Sequence, residues 1–136
     1  MARRDDQAIA HAAAALDPPP LGAFVFGSHA RGEATTRSDV DICLIAGPDG
    51  DAGALYHSSL LMSARAEWDV SIFERLPGHL QGRVLDEGVQ VWTRNHVALW
   101  DYLWVKKKIW RDNAIHRMWT PAEAAHLLDV RRRGQP

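Results

Sequence analysis

Ten residues separate the pair Gly27-Ser28 from Asp39 and Asp41, and these four positions carry the chemistry that can be read first. Asp39 and Asp41 stand at the head of Val40-Asp41-Ile42-Cys43-Leu44-Ile45, a mostly apolar run that reads as a buried strand. Residues two apart on a strand point to the same face, so the two carboxylates project together. Each disfavours the ionised form of the other, and a divalent cation resolves the conflict. Magnesium is hard, takes oxygen ligands, and typically binds one or two carboxylates together with substrate phosphates. Gly27 lets the backbone come close to a phosphate, and Ser28 adds a backbone donor and a hydroxyl. Arg31 and Arg37 are nearby cations for a triphosphate or a departing pyrophosphate. Alone, an aspartate pair fits a solvated turn and a Gly-Ser pair fits an ordinary strand end. Together, at this spacing, they describe transfer of a nucleotidyl group from a nucleoside triphosphate.

Metal-assisted phosphoryl transfer often uses a third carboxylate, as ligand or as base for the attacking group. The segment Glu67-Trp68-Asp69-Val70-Ser71-Ile72-Phe73 offers one. Read as a strand, it puts Asp69, Ser71 and Phe73 on one face and Val70 and Ile72 on the other. Asp69 completes a triad if this strand lies beside that of Asp39 and Asp41. Glu67, on the same face but at the strand's start, is the rival.

The elements that must position these residues follow from the same pattern. Ala23-Phe24-Val25-Phe26 reads as an apolar strand leading into Gly27-Ser28, with a short helix near His29-Ala30. A helix over about 6–16, capped by Asp5 or Asp6 and stopped by Pro18-Pro19-Pro20, precedes it. After a loop at Gly47-Pro48-Asp49-Gly50 come a helix near 54–66, the Asp69 strand, a helix near 77–87 and a strand over 89–92. Pro77 suits a first helical turn and Gly88 a helix stop. Alternating helices and strands give an α/β, or α+β, sandwich.

The string GSHARGEATTRSDVDICLI resembles the signature of the DNA polymerase beta-like nucleotidyltransferases. More narrowly, the chain is similar to the minimal nucleotidyltransferases (MNT), which are little more than the catalytic palm. The likeness runs from about Ile9 to about Asn95. It implies a palm-like mixed sheet with flanking helices, a catalytic unit over 1–95 and a C-terminal helical extension over 96–136. It implies that Gly27 and Ser28 bind the nucleotide, that Asp39 and Asp41 bind metal, and that Asp69 is metal ligand or base. Two Mg²⁺ ions and an NTP, ATP by family habit, come with it. The position after the serine is frequently arginine in the family and is His29 here, which bears on phosphate affinity and pH dependence. Many such proteins are antitoxins encoded beside a HEPN-domain ribonuclease toxin, and the active ones silence it by adding AMP. The competing expectation is a module that masks its toxin by contact alone. Antibiotic-modifying relatives usually need a second, acceptor-binding domain, and residues 96–136 are too short to supply one.

Composition points to one cytoplasmic domain without a membrane anchor. The 136 residues suffice for one core. One cysteine excludes an intrachain disulfide, and Cys43 reads as a small core residue. No apolar run is long enough to span a bilayer. Asp5, Asp6 and His11 interrupt the alanine-rich start, against a signal peptide. The seven histidines are dispersed and suggest no zinc site.

Charge is divided unevenly: residues 1–95 carry eight Lys/Arg against thirteen Asp/Glu, and residues 96–136 eight against four. A basic tail on an acidic body suggests an anionic partner for the tail. Residues 96–111 read as a helix with Trp100 and Trp104 on one face, Tyr102, Val105 and Ile109 as a second stripe, and Lys106-Lys107-Lys108 between. These stripes either pack on the catalytic sheet or leave one face exposed for a partner or a second copy of the chain. Interleaved Trp and Lys also suit single-stranded nucleic acid, a weaker reading. Thr120-Pro121-Ala122-Glu123 resembles a fresh helix start, ahead of Arg131-Arg132-Arg133. Arg111 and His116 have the spacing of HEPN ribonucleases, but so short a segment cannot build that helical bundle.

Overall fold

The computed structural model describes residues 5–35 and 39–112. Arg37, His116, the helix start read at Thr120 and Arg131-Arg132-Arg133 lie outside the described residues. The chain builds a three-layer sandwich. Helix α1 (Asp6–Ala14) leads into strand β1 (Gly22–Phe26), the one-turn helix α2 (Ser28–Arg31) and strand β2 (Val40–Ile45). Helix α3 (Ala52–Ser63) and strand β3 (Trp68–Ile72) follow, then a 3₁₀ turn (Phe73–Arg75), helix α4 (Gly78–Glu87), strand β4 (Val89–Thr93) and helix α5 (His96–Asp112).

The sheet order is β3-β2-β1-β4. β1 runs antiparallel to β2 and β4, whereas β2 and β3 are parallel. Parallel neighbours need a crossover, and α3 supplies it. Strand alternation sends Ala23, Val25, Val40, Ile42 and Leu44 to one face, under Ile9 and Ala13 of α1 and Leu55 and Met62 of α3. Phe24, Phe26, Cys43 and Ile45 go to the other, under Val84 of α4 and Leu99 and Leu103 of α5. With helices on both faces, β1 is buried along its whole length, as near-continuous apolar strands must be.

Carboxylate capping sets two helix starts. The Asp5 carboxylate accepts the Ala8 N–H at 3.0 Å, and Asp51 accepts that of Ala54 at 3.1 Å. Asp51 therefore starts α3 earlier than the apolar pattern predicts, and the helix ends at Ser63 rather than Ala66. The Arg65 guanidinium then stacks on the Trp68 ring at 4.4 Å, where the chain turns into β3. Pro77 is the cap of α4 rather than a residue of its first turn. Gly88 ends α4 in ordinary negative-φ backbone, and what demands glycine there is the close approach of the Val84 carbonyl.

Helix α5 departs most from expectation. Neither predicted stripe makes its main contact; the line that docks on the sheet is Leu99 and Leu103, between them. Trp100 is half exposed, its ring T-shaped against that of Phe24 with centroids 6.1 Å apart. Trp104, Val105 and Ile109 are exposed. Tyr102 is drawn inward by its hydroxyl, which donates to Glu74 at 2.8 Å. Trp110 lies against Gly82 of α4, where a Cβ would collide with the indole. No helix of the described residues is long and apolar enough to cross a membrane.

Candidate active site

Gly27 sits where β1 passes into α2, with φ at +73°, a region that disfavours any side chain. A Cβ there would also run into Oδ2 of Asp41. The turn therefore presses its bare backbone against a carboxylate. Ser28 opens α2, and Gly32 closes it in the left-handed conformation. The short helix is tied at both ends, by Arg31 N–H to Gly27 C=O at 3.1 Å and Glu33 N–H to Ser28 C=O at 2.9 Å.

Sheet register gathers the carboxylates. Asp41 is opposite Phe26, the last residue of β1, in the antiparallel pair. In the parallel pair Asp41 is opposite Asp69. Asp39, exposed, immediately precedes β2. Burial is the main force holding the Asp41 carboxyl above the usual aspartate range. The charge on Asp69 adds to it, and that on Asp39 contributes less. His29 and Arg83 pull the other way. Glu67, the rival to Asp69, lies just before β3, and its carbonyl accepts the Val40 N–H.

Such a set of hard oxygen donors, one of them half-buried and unfavourable to ionise, suits a hard divalent cation. Among the described residues no three His, Cys, Asp or Glu are yet drawn into a ready cation cage. Magnesium sites of this kind are completed by substrate phosphates and water rather than by protein alone.

The arginines behave differently from one another. Arg31 is not free: its Nε reaches Glu33 at 3.0 Å and its Nη1 reaches Glu87 at 2.9 Å. The Glu33 contact leads in raising its already high pKa. Arg37 lies outside the described residues. Two groups that the motif did not flag also face the site. Arg83 acts on Asp41 from α4, and Glu87 binds Arg31 from the end of that helix. Their four-residue spacing on α4 resembles a common surface pair. Only the contact across 56 residues of chain gives it meaning.

Cys43 is a core residue, as its place in an apolar strand suggests. It is fully buried between the site and the far end of β2, and burial followed by the charge of Glu74 pushes its thiol well up. Glu74 is a structural polar centre, taking the Ala46 and Gly47 amides at 2.9 and 3.1 Å as well as Tyr102.

Residues 10–97 match the family model "Polymerase beta, Nucleotidyltransferase". The chain belongs to that family. A Methanocaldococcus jannaschii member, provisionally named a protein adenylyltransferase, is 32% identical over 92 residues, which are 68% of this chain and 70% of that one. Among solved structures, this nucleotidyltransferase resembles a chain of a toxin–antitoxin crystallised with AMP-PNP, with TM-score 0.62 and 18% identity, over 93% of this chain and 98% of that one. It also resembles a chain from a complex of a tri-AMPylated Shewanella oneidensis HEPN toxin with an MNT antitoxin. That match has TM-score 0.58 and 17% identity, over 92% of this chain and 94% of the other. At these identities the likeness is one of fold. Both matches extend past residue 97, so the shared architecture includes α5.

Proposed function

We propose that this nucleotidyltransferase moves a nucleoside monophosphate, AMP from ATP, onto a hydroxyl of a partner protein, and that the partner is a HEPN-type toxin. The observation that carries the reading is the placement of Asp41 between Gly27 and Asp69, with Asp39 at the strand's entry. The M. jannaschii relative supports a protein acceptor, and the two toxin–antitoxin structures support the partner class.

In this reading the Gly27-Ser28 turn takes the triphosphate, its backbone approaching without a side chain and the Ser28 hydroxyl donating. Arg31 and Arg37 meet the phosphate charge. Asp39, Asp41 and Asp69 would hold two Mg²⁺ ions, which neutralise the phosphates and stabilise attacking and leaving oxygens. Asp69, exposed at the edge of the set, accepts the proton of the acceptor hydroxyl. The hydroxyl oxygen bonds to the α-phosphorus as the bond to the β-phosphate bridging oxygen breaks, and pyrophosphate departs. Residues 1–95 hold all these groups, while residues 96–136 are the extension that contributes to partner contact. A reducing cytoplasm fits a single buried thiol.

The exposed row Val97, Trp104, Val105 and Ile109 on α5 favours a second reading, an antitoxin acting by contact, with a homodimer as another use of that face. The test is α-labelled ATP, Mg²⁺ and a co-expressed partner or lysate, with wild type and Asp39→Asn/Asp41→Asn side by side. Label on a discrete protein with wild type alone supports transfer. Neutralisation of the toxin by the double variant, with no label anywhere, means that contact suffices.

A further inference from the structure

The same Oε1 atom of Glu87 lies 2.9 Å from Nη1 of Arg31 and 3.7 Å from Nε of Arg83. One oxyanion position is thus shared by two guanidiniums that come from different elements. Arg31 belongs to the helix that follows the Gly27-Ser28 turn, and Arg83 to α4, close enough to Asp41 to act on its charge. Both arginine side chains keep solvent access, at 36% and 54% exposure, so a ligand can reach them. Guanidinium forks donate the same paired N–H bonds to carboxylate and to phosphate oxygens.

We infer that Glu87 occupies the place of a phosphate oxygen, and that Arg83 is a further binding residue for the β- and γ-phosphates of the nucleoside triphosphate. The inference rests on the nucleotidyltransferase reading of the site. When the triphosphate arrives, its oxygens replace Glu87 between Arg31 and Arg83. Glu87 then competes with the substrate, holding both cations in place while the site is empty. Arg83 bridges phosphates that leave together as pyrophosphate, so its contribution follows the number of phosphates and not the base.

Two substitutions separate this role from a structural one. Arg83→Gln removes a charge-assisted contact and is expected to weaken binding of a non-hydrolysable α,β-imido ATP with Mg²⁺ about tenfold. AMP binding stays within about twofold, and Arg83→Lys restores part of the loss. Glu87→Gln removes the competing charge and is expected to tighten triphosphate binding several-fold. If Glu87 were only a brace for Arg31, the same change would loosen binding.

The measurement is calorimetric titration of the full chain and the three variants with the imido-ATP and with AMP, alongside their melting temperatures. The inference is overturned if Arg83→Gln binds the triphosphate as the wild type does, or if Glu87→Gln weakens it at unchanged melting temperature. Failure of the wild type itself to bind any triphosphate overturns the reading of the site first, and this inference with it.

Discussion

Asp41 is the residue on which stability and the proposed activity pull apart. Burial and the Asp69 charge raise its pKa, so the folded chain holds the proton more tightly than the unfolded chain does. Folding stability therefore falls as pH rises through the interval above the ordinary aspartate value. The carboxylate that the proposed chemistry needs is thus a cost to folding. Asp41→Asn should melt about 2–5 °C higher than the wild type in EDTA at neutral pH, with the gap closing as pH drops into the carboxylate range. The same variant should lose about 10²–10³ or more in transfer rate. Calorimetric scans across pH check the first half, and a lower melting point for Asp41→Asn at neutral pH would contradict it. Gly27→Ala should destabilise the fold by about 1–2 kcal/mol, since its φ is positive and the new methyl meets Asp41. Urea unfolding measures that loss, and triphosphate binding should fall with it.

Among the elements, α5 is held by polar contacts as well as by Leu99 and Leu103. Glu74 links it to the turn after β2 through the Tyr102 hydroxyl. Tyr102→Phe removes a bond to a charged acceptor and should cost about 1–2 kcal/mol in urea unfolding. Glu74→Ala should cost more, because it also leaves two backbone amides unpaired. Equal losses in the two variants would mean that water takes over the Ala46 and Gly47 amides.

The apolar run from Val40 to Ile45 and the Asp5 cap are local signals, and each element formed where its own residues demanded. The short α2 and the β2–β3 pairing were legible because the turn and the carboxylates make sense only together. On α5 the large side chains misled. Trp100 and Trp104 carry the most apolar surface, yet Leu99 fits onto bare Gly22, where any Cβ would meet its methyls at 2.8 Å. Complementarity between a glycine and a leucine 77 positions apart leaves no trace in helical periodicity. Arg83 and Glu87 were hidden for the same reason, since an i,i+4 pair reads as a surface feature until another element completes it.

At the scale of the whole molecule, α5 carries exposed apolar side chains and is also part of the core. A chain ending at Asn95 retains the aspartates, the turn and Arg83, but loses Leu99 and Leu103 from the cluster beneath the sheet. It should be recovered as an aggregating or molten species, with blunted cooperativity in thermal unfolding. A sharp transition at the full-length temperature would instead make residues 1–95 an independent domain.

In the proposed function these carboxylates transfer a nucleotidyl group and not a terminal phosphate. The most direct measurement follows ATP labelled at the α- and γ-phosphates in parallel, with Mg²⁺ and the acceptor protein, for wild type and Asp41→Asn. Nucleotidyl transfer predicts α-label on the acceptor, an equal amount of γ-label released as pyrophosphate, and neither with Asp41→Asn. Incorporation of γ-label into the acceptor, or equal α-incorporation by Asp41→Asn, would contradict it.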